Sequence, residues 1–307
     1  MNKITKRGGG FGIPTTTEYD GSEVTRLVKV MNYNICRALR TEKTRFAFKN
    51  RVDRIYKIIE INSPDIMMLQ ECLRFTSYDE EDSIEGFFDN LRKMGYTIEE
   101  FRTNGTPLCL VNCICYKRDR FFLMERDIKF LSDTPDVPSP GWGNGFGRIV
   151  GRVKLYPLDV EGKIMTDYLF GVCVTHFSLP EEARDKEARI FHNLIYSDVP
   201  TVFSGDFNSF GDHAEAQRKL LFEIPGVEDA CKYVKGTWLG WDEDFPVKVG
   251  EIREKLDGLA GKGGIYWHGD TIVLDGQFGK DTHLTGTNYD CPSDHAPIIA
   301  WFGLNKK

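Results

Sequence analysis

The 307-residue chain has no apolar run of membrane-spanning length, and its opening stretch MNKITKRGGGFGIPT has basic residues without an apolar core behind them. Neither an anchor nor a signal peptide is expected, and a cytoplasmic setting follows. Positive charge is also in short supply. Lys and Arg number 40 against 46 Asp and Glu, a net charge of −6, which argues against broad binding to duplex DNA through arrays of cations while leaving room for a local basic cleft. The eight cysteines lack the C-x-x-C pairing or nearby His of a zinc site, and no H-E-x-x-H occurs, so they are expected mostly as buried free thiols. The glycines of the Pro- and Gly-rich stretch 132–148 do not fit G-x-G-x-x-G, and no internal repeat is present.

The chain does hold a succession of strand-like apolar runs: 27–36, 65–71, 96–101, 112–116, 149–156, 168–178, 201–207, then GDTIVLDGQF and PIIAWF near the end. Helical spacing of apolar residues predicts helices over 48–61, 86–94 and 181–196. Residues 132–148 and 236–268 read as long loops, and residues 1–24 as an arm. Strands dominate without regular βαβ alternation. The expected architecture is a single domain over 25–305, a two-sheet sandwich covered by helices.

Polar residues recur at the ends of these runs. Asn34 closes the first and Glu71 the second; His176 closes FGVCVTHF; Asp206 and Asn208 close TVFSGDFN; Asp270 opens DTIVL; Asp294 and His295 precede PIIAWF. Taken singly, each is an ordinary turn former or cap. Placed side by side, the strand ends would gather carboxylates, histidines and carboxamides on one rim. Hard oxygen donors such as Glu71 and Asp294 suit Mg²⁺ or Mn²⁺. Asp206 could orient and deprotonate an attacking water. Asn34 and Asn208 would donate to phosphate, His176 and His295 would stabilise its oxygens, and Asp270 would fix the tautomer of His295.

The ordered set YNI, LQE, THFS, GDFNS, DTIVL and SDHAPI resembles the Mg²⁺-dependent endonuclease/exonuclease/phosphatase superfamily, over nearly the whole chain. LS-x-TP…GWG…R within 131–148 further resembles uncharacterised bacterial members. The resemblance implies a four-layered α/β sandwich of the DNase I-like kind, two mostly antiparallel sheets flanked by helices. It implies a metal-dependent phosphoester hydrolase, with Asp206, Asn208, His176, His295 and Asp270 catalytic and Glu71, Asn34 and Asp294 about the metal. Within the superfamily the general base is assigned either to Asp206 or to the final His. Arg189 matches a common superfamily Arg, for which packing is the first reading.

Candidate substrate contacts are Arg37, Arg148, Trp238 and Trp241. Arg37 opens a basic stretch running to Lys57, which either lines the site or forms a solvated face. The tryptophans could stack on a base or sugar or anchor their loops. Nucleic acid, as single strands or 3′ ends, is the first substrate class; a small or lipid-derived phosphoester is the second; a non-catalytic binding module is the third. No obligate protein partner is inferred.

Overall fold

In the computed structural model of the chain, residues 27–36, 47–72, 84–103, 111–142, 147–240, 254–273 and 292–304 are described. Twelve strands form two six-stranded sheets among these residues. The first has the order β11 (Ile265–Val273), β12 (Ile298–Leu304), β1 (Val28–Asn34), β2 (Ile66–Gln70), β4 (Val111–Lys117), β3 (Tyr96–Arg102). The second runs β5 (Phe121–Phe130), β6 (Ile149–Pro157), β7 (Phe170–His176), β8 (Thr201–Asp206), β10 (Asp257–Lys262), β9 (Val227–Asp229). Only β1–β2 and β7–β8 are parallel, each joined by a helical crossover; the other pairings are antiparallel.

Helices α1 (Val52–Asn62) and α2 (Ile84–Lys93) cover the outer face of the first sheet, where Ile55, Ile59, Phe87, Phe88 and Leu91 pack on Met31, Tyr33, Met67 and Leu69. Helices α3 (Glu181–Leu194) and α4 (Ala214–Phe222) cover the second, with Phe191, Leu221 and Phe222 on Phe203 and Phe207. The expected four layers are present.

The inner faces fill the middle of the sandwich, and alternation along each strand decides their composition. On β1 they read Val28, Val30, Asn32, Asn34; on β2, Ile66, Met68, Gln70; on β7, Phe170, Val172, Val174, His176; on β8, Val202, Ser204, Asp206. Each row is apolar at one end and polar at the other. Register puts Asn34 opposite Gln70, His176 opposite Asp206, and Asp206 opposite Asp257, so the polar ends coincide.

Several expectations shift at this level. The stretch 236–268 is not all loop, because β10 and the start of β11 lie in it. β5, β9 and α4 join the elements read from sequence. On α3 the buried arginine is Arg184, spaced with Glu187, Ala188 and Phe191 on the inner face, whereas Arg189 is exposed. The arm 1–24 and residues 37–46 of the basic stretch lie outside the described residues. Within that stretch Arg51 is fully buried and donates to the carbonyls of Ile35, Cys36 and Pro292, so it pins the segments beside Asn34; Lys49 and Lys57 face solvent.

Candidate active site

The polar ends of both sheets enclose the Asp206 carboxylate. Its position depends on Gly205, since a Cβ there would lie 2.4 Å from the Thr175 carbonyl oxygen of β7. Only glycine permits the approach that sets His176 beside Asp206. Asp206 Oδ1 accepts the Asn208 backbone N–H at 2.9 Å. Its Oδ2 receives Asn34 Nδ2 at 3.0 Å and lies 3.5 Å from His176 Nε2 and 3.6 Å from His295 Nε2. The same Asn34 amide also donates to Glu71 Oε1 at 3.2 Å, which draws the two carboxylates together from opposite sheets.

Glu71 and Asn208 hold left-handed backbone conformations, φ 57° and 48°, as does Cys36 at 48°. Such conformations are strained for residues with a side chain and persist where surrounding structure enforces them. At Asn208 the enforcement is visible: its backbone is tied to Asp206, and its Nδ2 donates to the Phe177 carbonyl at 2.9 Å. One amide hydrogen of Asn208 is thus committed. Phe207, between the two polar residues, points the other way into the α3–α4 core.

His295 Nδ1 meets Asp257 Oδ2 at 2.8 Å. A carboxylate only accepts, so Nδ1 carries the proton and Nε2 faces Asp206. This corrects the expectation for Asp270, which is exposed on edge strand β11 and is not the partner of His295. Asp257 is held by a backbone N–H bond to Thr237 Oγ1 at 3.0 Å and by pairing of β10 with β8. The Ser293 hydroxyl donates to the Asn34 carbonyl at 2.6 Å, which binds the Ser293–Asp294–His295 turn to β1.

Charge divides the two histidines. Burial alone would lower both, but the charges of Asp257 and Asp206 outweigh it at His295 and hold that imidazole protonated well above its usual range. Burial, with the positive charges of Arg148 and His295, keeps His176 neutral. Burial pushes the Asp206 carboxyl up to about 6, against the opposing pull of His295.

Arg148, from the end of the Pro- and Gly-rich loop, contributes a guanidinium whose electrostatic neighbours are Glu187, Asp206 and Glu71. Its Nη1 is buried without a hydrogen-bond partner among the described residues. A buried donor in that state is costly unless an acceptor completes it. Trp238 is half-buried, and its backbone bridges to Glu254 and to His295. Arg37 and Trp241 lie outside the described residues.

Two groups are compact enough to hold a cation among the described residues: Glu71 with His176 and Asp206, and Asp206 with Asp257 and His295. The protonated, Asp257-paired His295 makes the first the better fit, because a cation between Glu71 and Asp206 offsets the repulsion of two carboxylates sharing one amide. Asp294 is in neither group. The Asn34 side-chain Oδ1 accepts the Cys36 N–H at 2.9 Å and its Nδ2 donates to Asp206 and Glu71; the Asp294 carboxylate sits beside the Cys36 thiol.

No known protein-family description matches the sequence. The uncharacterised protein L388 of Acanthamoeba polyphaga mimivirus is 30% identical over 204 residues, covering 64% of this chain and 70% of that protein. An endonuclease/exonuclease/phosphatase family protein from Bacteroides thetaiotaomicron superposes with a TM-score of 0.71 at 21% identity, over 93% of this chain and all of that one (100%). The mannosyl-6-phosphatase Bt3783 of B. thetaiotaomicron gives 0.69 at 21% identity, over 90% and 99%.

Proposed function

The chain belongs by fold to the endonuclease/exonuclease/phosphatase superfamily and by sequence to one family with L388, and on that premise we propose that it is a divalent-metal-dependent phosphoester hydrolase. One observation carries the reading. Asp206 is buried within reach of Asn34, His176 and His295, with Glu71 on the same amide and an uncompleted Arg148 donor beside them. Anion-binding donors and cation-binding carboxylates converge, which is what a metal-bound phosphate requires.

Glu71, with Asp206 and His176 at hand, would hold Mg²⁺ or Mn²⁺. Such an ion, when bound, polarises a phosphoryl oxygen and offsets charge on the leaving oxygen. The Arg148 guanidinium, the His295 imidazolium and the second Asn208 amide hydrogen supply donors to the non-bridging oxygens. Asp206, ionised at neutral pH but with its pKa raised to about 6, orients a water and accepts its proton. Asn34 holds Asp206 and Glu71 in register.

Phosphoesters of nucleic acid ends form the first substrate class, favoured by the half-buried Trp238, whose backbone pairs with that of His295 and whose indole would stack on a base. A phosphorylated sugar is the second, favoured by the fold shared with Bt3783, since the same indole can pack on a sugar face. The test is a panel of single-stranded RNA and DNA, sugar phosphates and bis-p-nitrophenyl phosphate, with Mg²⁺ or Mn²⁺ and an Asp206→Asn control. Activity should vanish with EDTA and fall about 10²–10⁴-fold in Asp206→Asn. An EDTA-resistant activity, or near-normal rates in the variant, contradicts the assignment.

A further inference from the structure

Beneath the site lies a second polar layer at depths where apolar side chains would continue the strand pattern. Asn32 follows Val28 and Val30 on β1 and is 1% exposed; Gln70 follows Ile66 and Met68 on β2 and is fully buried. Burying two carboxamides in an inter-sheet core is unfavourable unless their hydrogen bonds are met. Gln70 Nε2 donates to Asn32 Oδ1 at 2.9 Å, and Asn32 Nδ2 donates across the sandwich to Asp257 Oδ1 at 3.4 Å. The other Asp257 oxygen receives His295 Nδ1.

Direction along this chain is forced. Asp257 can only accept, so Asn32 must turn its amino group to it; that leaves the Asn32 carbonyl facing Gln70, which must then donate. Gln70 Oε1 is left buried without a partner among the described residues. The layer therefore tolerates an unmet acceptor at its far end while completing both oxygens of the carboxylate at its near end. With both oxygens and its backbone N–H engaged, Asp257 has one orientation, and so has the imidazole it holds.

We propose that Asn32, supported by Gln70, is a positioning residue that fixes the Asp257–His295 pair from the opposite sheet. Its effect on catalysis rests on the phosphoesterase reading; its effect on the pair does not. Outer partners of this kind commonly contribute about 10–100-fold to activity.

The experiment uses Asn32→Leu, which extends the apolar row of β1, in the full chain. The substitution leaves Asp257 Oδ1 and Gln70 Nε2 without Asn32, so the urea midpoint of the folded variant should fall. With bis-p-nitrophenyl phosphate and Mn²⁺, kcat should fall about 10–100-fold while KM changes less than about threefold. The downfield Nδ1 proton of His295, assigned by its loss in His295→Ala, should shift or broaden away. In the His295→Ala background Asn32→Leu should cost nothing further. Gln70→Leu, which leaves Asn32 in place, should give a smaller loss in the same direction and serves if Asn32→Leu does not fold. A folded variant with an unmoved Nδ1 proton, or with an unmoved kcat, overturns the proposal. If the wild type hydrolyses no phosphoester, the functional reading fails and the proton resonance still decides the positioning role.

Discussion

Replacing Asp257 by Asn keeps the shape of the residue and an oxygen to accept from His295 Nδ1, but removes its charge. The two groups meet at 2.8 Å in a buried setting. At an effective dielectric of about 20, opposite unit charges at that separation interact by about 6 kcal/mol. The amide dipole retains a share, so a loss of about 3–5 kcal/mol in stabilising the imidazolium is expected, or about 10²–10⁴ in rate. Asp270→Asn is the matched control, since that carboxylate lies exposed on β11 and should leave the rate within about twofold. Steady-state kcat/KM on bis-p-nitrophenyl phosphate with Mn²⁺ measures both, and urea unfolding confirms that both are folded. Equal losses in the two variants, or a greater loss at Asp270, would refute the pairing as the source of the effect.

Arg148→Met should abolish most of the stabilisation that inorganic phosphate gives the metal-loaded wild type, about 2.7 kcal/mol at a hundred times Kd; undiminished protection in a thermal shift would remove Arg148 from the phosphate site. Glu71→Asn, which tolerates φ 57° better and removes one of two adjacent negative charges, should stabilise the metal-free protein by about 0.5–1 kcal/mol while inactivating it. His192 donates Nε2 to the Leu221 carbonyl while its Nδ1 is buried without a partner among the described residues, and burial lowers its pKa from 6.5 to about 4. Between those values the unfolded chain binds the extra proton, so this contribution is present above pH 6.5 and fades as pH falls toward 4. After allowance for partial exposure, His192→Leu should shrink the stability difference between pH 7 and pH 5 by about 1 kcal/mol in urea titrations; an unchanged difference would show that His192 does not titrate there.

Asn34, Glu71, His176 and Asp206 were legible because each ends a strand-like apolar run, and His295 because it precedes one. Asp257 was not. It begins DGLAGK, a strand whose small residues are imposed by packing: a Cβ at Gly258 would meet Phe222 at 2.5 Å, and one at Gly261 would meet Ile265 at 2.5 Å. Tertiary fit makes this a strand against its local propensity. Asp270 misled for the converse reason, standing in a stretch of good strand formers that lies at a sheet edge with a register shift between His268 and Ile272. Arg184 and Arg189 could be separated only by the helical face, since five positions turn the side chain away from the core. Arg148 was legible as the end of a motif; what could not be read was that its Nη1 is enclosed with no acceptor among the described residues.

The hydrogen bonds of the site join residues far apart along the chain: Asn34 to Asp206 spans 172 positions, Asn32 to Asp257 225, and Ser293 to Asn34 259. Each closes a very long loop, whose entropic cost must be met before the contact can form. Neither sheet alone contains the Asp206 environment, because Asn34 and Glu71 arrive on one and His176 and Asp206 on the other. During refolding, the site comes into being only when the sheets dock.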